Sequence, residues 1–312
     1  MQDADGTRPQ NLLLGITLIV TAAFVISAQD VVFKLFSQQL TLWQIFALRG
    51  LIATPLLLAI NWQRGELKSL VKAALSRWIL LRSLCFTATF LAFYAAIPFL
   101  SLSTVGAANY IAPIFVTLMT AYLLREPVGP AGWIAVLLGF AGVLVLLQPG
   151  TDAFSPWVIL PVIGAAFYAC AHILTRSKCA RASLSAMTLS LAATMTLSGV
   201  VISGILAILN LDTSLVAENP YLFGPWSAVS QTDWLVLGVL AVFTLAIGML
   251  LAGAYQAASP AKISVYEYSY LVFVAIWDIL VFGLAPTVTS ISGMLLIVVA
   301  GVIVLHKKSA HE

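Results

Sequence analysis

Ten stretches of about twenty mostly apolar residues follow one another along this chain. They constrain its fold more than any other feature. A helix of roughly 20 apolar residues crosses a bilayer, and within lipid it bonds all its backbone polar groups internally. The stretches lie at 11–36, 42–60, 78–97, 101–124, 129–147, 156–175, 183–209, 233–257, 262–282 and 287–305. They are continuous, which excludes a β-barrel of alternating strands of about ten residues. Composition agrees, since 61% of the 312 residues are hydrophobic and 9% are charged. A soluble domain carries about 25% charged residues. So little charge cannot build a water-exposed surface. A soluble enzyme, a nucleic-acid-binding module and a disordered chain are therefore excluded. The expected fold is an all-α membrane protein of ten transmembrane helices.

The basic residues orient those helices. Twelve of the fifteen Lys and Arg residues occupy one alternate set of loops and tails: Arg8; Arg64, Lys68, Lys72 and Arg77; Arg125; Arg176, Lys178 and Arg181; Lys262; Lys307 and Lys308. The opposite loops carry Asp152, Asp212, Glu218 and Asp233 instead. The positive-inside rule then places both termini in the cytoplasm, as an even span count also requires. Trp43, Trp62, Trp78, Trp157 and Trp234 flank span ends like an aromatic belt. Trp277 falls within a span and needs another reason. The first span is too long for a signal-peptide core and reads as a retained signal anchor. Cys85, Cys170 and Cys179 form no paired framework, so no disulfide is expected.

The two halves echo each other. Ala22-Ala23-Phe24 recurs as Ala165-Ala166-Phe167, an offset of 143 residues. Pro127 and Gly142 recur as Pro286 and Gly301 at an offset of 159, the difference falling in the longer loop near 210–232. Five spans per half, an odd number, force the second half to insert upside down. The expected units are a first five-helix repeat at 11–148, an inverted second repeat at 156–306, and tails at 1–10 and 307–312. Such inverted repeats are the plan of many secondary transporters.

Tyr110-x-x-Pro113, Leu124-Arg125-Glu126-Pro127 and Gly139-x-x-Gly142 resemble the end of an EamA repeat of the drug/metabolite transporter superfamily. The second half departs from that pattern, with Gly283-Leu284-Ala285-Pro286 where an acidic residue would precede the proline. Asp30-Val31-Val32-Phe33-Lys34 followed by Arg49 is similar to a subset of bacterial EamA proteins. The resemblance covers nearly the whole chain. It implies a secondary transporter of metabolites such as amino acids, riboflavin or nucleotide-linked sugars, with a cavity lined by spans 1, 3, 4, 6, 8 and 9. It also suggests a multi-pass protein of a bacterial inner membrane.

Ionisable residues inside spans bear on mechanism, because each costs roughly 2.5–3.5 kcal/mol at the bilayer centre on insertion scales. Arg82 lies one turn inside its span, within snorkelling reach of the cytosol. Asp30 and Lys34, four apart, share a helix face, and Arg49 lies at a similar depth on the next span. The three form either a structural clasp or an outer gate, and a guanidinium suits a carboxylate. Glu267 and Asp278, eleven apart, fall on one α-helical face about 16 Å apart. Glu267 is placed to carry a proton, and Asp278 lies either on the path or at the outer interface. His172 is the repeat mate of Gln29; it either pairs with Glu267 or sits at the interface. Tyr266, Tyr270 and Trp277 form an aromatic stripe, with Tyr268 on another face.

The expected substrate-contacting set is Gln29, Arg49, Tyr94, Asn109, Tyr110, Phe167, Tyr255, Tyr266 and Tyr270. The proton-coupling or gating set is Asp30, Lys34, His172, Glu267 and Asp278. No nucleotide-binding loop, H-E-x-x-H, G-x-S-x-G or metal-ligand spacing occurs in the sequence, so no cofactor or metal is expected. The expected partners are a small-molecule solute, the lipid bilayer and, as an open coupling ion, the proton, with no nucleic acid. Spans 5 and 10 are poor in polar residues and peripheral, leaving monomer and homodimer both open. An amino acid or related zwitterion is the first substrate reading, with Arg49 on its carboxylate and Glu267 on its ammonium. A planar metabolite such as riboflavin is the second. A channel would show rings of polar residues, and an intramembrane enzyme a cluster of acids at one depth.

Overall fold

The computed structural model describes residues 11–36, 40–63, 65, 67–96, 99, 111–147, 156–209, 211–283 and 288–306. Asn109, Tyr110 and Pro286 lie outside the described residues, as do the side chains of Lys34 and Asp278. The helices are α1 (Leu12–Phe36), α2 (Leu42–Gln63), α3 (Leu67–Ala74), α4 (Arg77–Ala96), α5 (Ala112–Tyr122), α6 (Pro130–Leu147) and α7 (Ile159–Ser177). They continue with α8 (Leu184–Leu209), α9 (Thr213–Glu218), α10 (Pro220–Phe223), α11 (Gln231–Ala257), α12 (Pro260–Ile263), α13 (Ser269–Phe282) and α14 (Val288–His306). No strand occurs among the described residues. Seven described segments are long and apolar enough to cross a membrane, and Ala112–Tyr122, Pro130–Gly142 and Ile291–Ala300 are shorter apolar helices.

Burial runs opposite to that of a water-soluble protein. Arg49, Arg82, His172, Gln44 and many Ser and Thr side chains are buried, while large apolar side chains such as Leu13, Leu235, Leu280 and Val288 are exposed. An apolar skin around a partly polar interior suits lipid as solvent. The three cysteines are free.

Local chemistry sets the helix ends. Ser230 and Asp233 form a reciprocal capping box that opens α11: each side chain accepts from the other's backbone N–H, at 3.2 and 2.9 Å. Ser259 is held extended (φ −60°, ψ 130°) ahead of Pro260, so the helical run cannot pass through it. Pro260 then opens α12, where its missing N–H costs nothing. Ser264–Tyr268 winds as a 3-10 turn before α13 begins. The ninth apolar run is therefore not one α-helix. The single face expected for Glu267 with Asp278, and for Tyr266 with Tyr270 and Trp277, presumes an unbroken α-helix; the tighter turn shifts Tyr266 and Glu267 out of that register, while Tyr270 and Trp277 keep it within α13. Pro113 stands in the first turn of α5, a position that tolerates proline without a kink.

The principal helix contacts are α6 on α14, α4 on α7, α1 on α11, and α2 on α8. Further contacts join α5 to α7, α1 to α13, α4 to α8, and α2 to α11. Helices in lipid associate by close packing at small residues. At Gly199 of α8 an added Cβ would lie 2.6 Å from the Trp43 carbonyl oxygen and 2.7 Å from the Ala47 nitrogen, both backbone atoms of α2. Gly139 of α6, in the Gly139-x-x-Gly142 motif, leaves room for the ring of Tyr268, which an added Cβ would strike. Tyr268 accordingly packs with Ala135, Val136 and Ala300.

The connection near 210–232 folds back onto α2. Trp43 Nε1 donates to the Leu222 carbonyl at 2.6 Å, and Gln44 Nε2 donates to the Ser227 carbonyl at 2.7 Å. Trp43 is thus buried and is no member of an aromatic belt, whereas Trp62, Trp157 and Trp234 are exposed as a belt requires. Trp277 is held by α1: its Nε1 donates to Ser27 Oγ at 3.0 Å and its ring lies 5.7 Å from that of Phe24.

Candidate functional site

Two polar clusters lie inside the bundle, and the ninth apolar run contributes to both. In the first, the Tyr270 hydroxyl of α13 donates to Asp30 Oδ2 of α1 at 2.5 Å. Arg49 of α2 is buried beside them, within electrostatic reach of Asp30, Tyr94 and Tyr221. Its guanidinium lies 5.7 Å from the Phe46 ring and 3.9 Å from Met195 Sδ. Among the described residues the one ion pair is Glu126 with Arg176. Asp30 is hydrogen-bonded to Tyr270 with Arg49 at longer range, and the Lys34 side chain of the expected network lies outside the described residues. Gln29 and Tyr94 are half-buried nearby in sequence and space on α1 and α4. Asp30→Asn and Tyr270→Phe should each lower thermal stability, and the double variant should show a coupling of about 1 kcal/mol. Strict additivity in a double-mutant cycle would mean that the bond holds nothing together.

In the second cluster Glu267, on the 3-10 turn, accepts hydrogen bonds from the Tyr255 hydroxyl of α11 and the Tyr168 hydroxyl of α7. The Tyr255 ring lies flat on His172, with centroids 3.5 Å apart. Phe86 and Tyr168 meet His172 edge-on at 5.0 and 4.3 Å. Both imidazole nitrogens are buried without a hydrogen-bond partner. The expected pairing of His172 with Glu267 therefore does not occur; Tyr255 bonds the acid and covers the imidazole. Tyr266 packs into the apolar cluster around Ile19, Val116 and Tyr255.

Arg82 does not snorkel. It is 1% exposed, donates from Nε to Thr175 Oγ1 at 2.6 Å, and sets its guanidinium 4.7 Å from the Phe86 ring. Short helix α3 and the turn at Cys179 join the core cluster at this end of α4. Phe167 is 40% exposed and stays out of both clusters, while its neighbour Tyr168 enters the second. Sequence reasoning thus missed Arg82, Tyr168, Thr175 and Tyr221 as cluster members. Thr175 was within reach, since it stands three residues after His172 on the same helix face. Tyr221 had no signal, because it arrives on the four-residue helix α10, outside the apolar runs. Beyond the clusters, Glu126 pairs with Arg176 at 3.4 Å, and Arg176 Nη1 donates to the Gln256 carbonyl at 3.1 Å. These bonds tie together the ends of α5, α7 and α11.

An apolar-skinned helical bundle with polar clusters in its interior is the build of a multi-pass membrane protein. Residues 13–148 match the EamA-like transporter family. The chain is 30% identical over 175 residues to a riboflavin transporter of Vibrio cholerae, covering 56% of this chain and 52%, about half, of that one. It is 21% identical to an S-adenosylmethionine uptake transporter of Rickettsia felis over 95% of this chain and 94% of that one. It is 24% identical to a pseudopaline exporter of Pseudomonas aeruginosa over 92% and 94%. A solved crystal structure, 15% identical, superposes with a TM-score of 0.72 over 96% of this chain and 98% of the other, a likeness of fold alone.

Proposed function

We propose that the chain is a secondary carrier that moves a small organic metabolite across a bacterial inner membrane by alternating access. The observation that carries this reading is the pair of interior acids, Asp30 and Glu267, each held by tyrosine hydroxyls from a neighbouring helix inside an apolar shell. Intramembrane acids are expensive and mark solute or proton paths. Glu267 is the group proposed to carry a proton. The names of the relatives, riboflavin, S-adenosylmethionine and pseudopaline transporters, support a small-metabolite carrier. They do not favour amino acids in particular, so that narrower substrate reading rests on Arg49 and Glu267 alone.

Ten membrane helices in two inverted five-helix repeats, 11–148 and 156–306, with both ends cytoplasmic, are part of the same proposal. The helix contacts support it. Exchange of the halves pairs α1 with α7, α2 with α8, α4 with α11, α5 with the segment 260–282, and α6 with α14. That exchange turns the α4–α7 contact into α11–α1, and α5–α7 into the contact of 260–282 with α1. It turns α4–α8 into α11–α2, and returns α2–α8 and α6–α14 to themselves. An unrelated packing of the two halves would not map onto itself in this way.

Counterflow in proteoliposomes tests the carrier. Vesicles are preloaded with amino acids, riboflavin, S-adenosylmethionine, nucleosides or polyamines. Saturable exchange of one class is expected. Non-saturable leak of many classes would replace the carrier by a pore, and no exchange by correctly inserted protein would remove the reading.

A further inference from the structure

The interior holds two buried guanidinium groups, and they differ in what compensates them. Arg49 has Asp30 within electrostatic reach. Arg82 has no carboxylate within ion-pair distance among the described residues. Thr175 engages its Nε, and Phe86 lies under the guanidinium. Its Nη1 is buried with no hydrogen-bond partner. His172, against the same Phe86 ring and one turn from Thr175 on α7, also has both nitrogens buried and unpartnered. Unmade hydrogen bonds on a buried cation are costly and rare in native interiors. Here one such cation and an unpartnered imidazole, from two helices, meet at one ring.

We propose that Arg82 and His172 form the seat for a carboxylate group of the transported solute. The assignment rests on the carrier reading given above. Arg82 Nη1 and the imidazole N–H supply two donors to one anion, and the guanidinium supplies the single positive charge. One fixed charge in a low-dielectric interior balances a monoanion; a phosphate dianion would leave a charge uncompensated. Phe86, Tyr168 and Tyr255 give the seat aromatic walls, so a flat body attached to the carboxylate fits beside it. In this conformation Tyr255, bonded to Glu267, covers His172. The seat opens when that tyrosine moves aside.

The test measures binding without transport, so its failure is separate from failure of the counterflow experiment. Purified protein in nanodiscs is titrated with sodium benzoate, its neutral isostere benzamide, and inorganic phosphate, and the thermal unfolding midpoint is followed. A saturable rise is expected with benzoate, none with benzamide, and a smaller one with phosphate. Arg82→Gln should abolish the benzoate response. Arg82→Lys should retain part of it, having the charge without the planar fork. His172→Phe keeps the ring packing, removes both nitrogens, and should weaken benzoate about tenfold. An unchanged benzoate response in Arg82→Gln or in both Arg82→Lys and His172→Phe overturns the seat. So does a wild-type protein that responds to none of the three probes, or equally to benzoate and benzamide. A phosphate response larger than that to benzoate overturns its assignment to a carboxylate.

Discussion

The Glu267→Gln protein is expected to exchange solute across the membrane yet lose its response to an imposed pH gradient. The substitution preserves size and an acceptor oxygen for Tyr255 and Tyr168, so the hydrogen-bonded tie between α7, α11 and the 3-10 turn survives. It removes the one proton-binding group of that cluster able to change charge between carboxyl and carboxylate. With one proton carried per solute, a gradient of one pH unit supports about tenfold accumulation. The variant should show about none. Uptake into vesicles at fixed and imposed pH differences reads this directly. Full gradient-driven accumulation by Glu267→Gln would assign coupling to another group, with Asp30 next in line.

Gly199→Val should be the most damaging single change to the fold. The new side chain would have to displace backbone atoms of α2 at Trp43 and Ala47, and a helix backbone cannot step aside as a flexible side chain can. A cost of about 3 kcal/mol is expected, at the upper end for overpacking. Parting α2 from α8 would also disturb Phe46, whose Cβ lies 3.1 Å from the added atom, and Arg49, whose guanidinium lies 3.9 Å from Met195 of α8. Gly204→Val, on the same helix with open space around it, is the control and should behave like the wild type. Equal melting temperatures for the two variants would show that α2 and α8 do not approach so closely.

The long helices were legible because lipid enforces a simple rule: a spanning segment must be long, apolar and internally bonded. The acids at Asp30 and Glu267 were legible for the converse reason, since their cost within a span demands an explanation. Partners were not legible. Tyr270 is 240 positions from Asp30, and only the crossing of α13 with α1 brings them together. Arg82 reads as a snorkelling residue from its depth alone, whereas Thr175, the partner that bonds it inside, stands 93 positions away. The sequence does not separate Phe167 from Tyr168, because adjacent residues differ by about 100° around a helix and no periodicity in α7 fixes which of the two faces inward.

The five residues Ser264–Tyr268 have a mechanical meaning. A 3-10 turn rises about 2.0 Å and turns 120° per residue, an α-helix about 1.5 Å and 100°. Rewinding those five residues as α-helix would shorten the segment by about 2.5 Å and twist α13 by roughly 100° relative to α12. Glu267 sits within the rewound stretch and Tyr270 just beyond it. One local change of pitch would therefore draw the Tyr255 bond and the Asp30 bond in different directions at once. Such a rewinding, if it occurred, would strain the bonds at both acids together, because the same few residues carry Glu267 and lead into Tyr270.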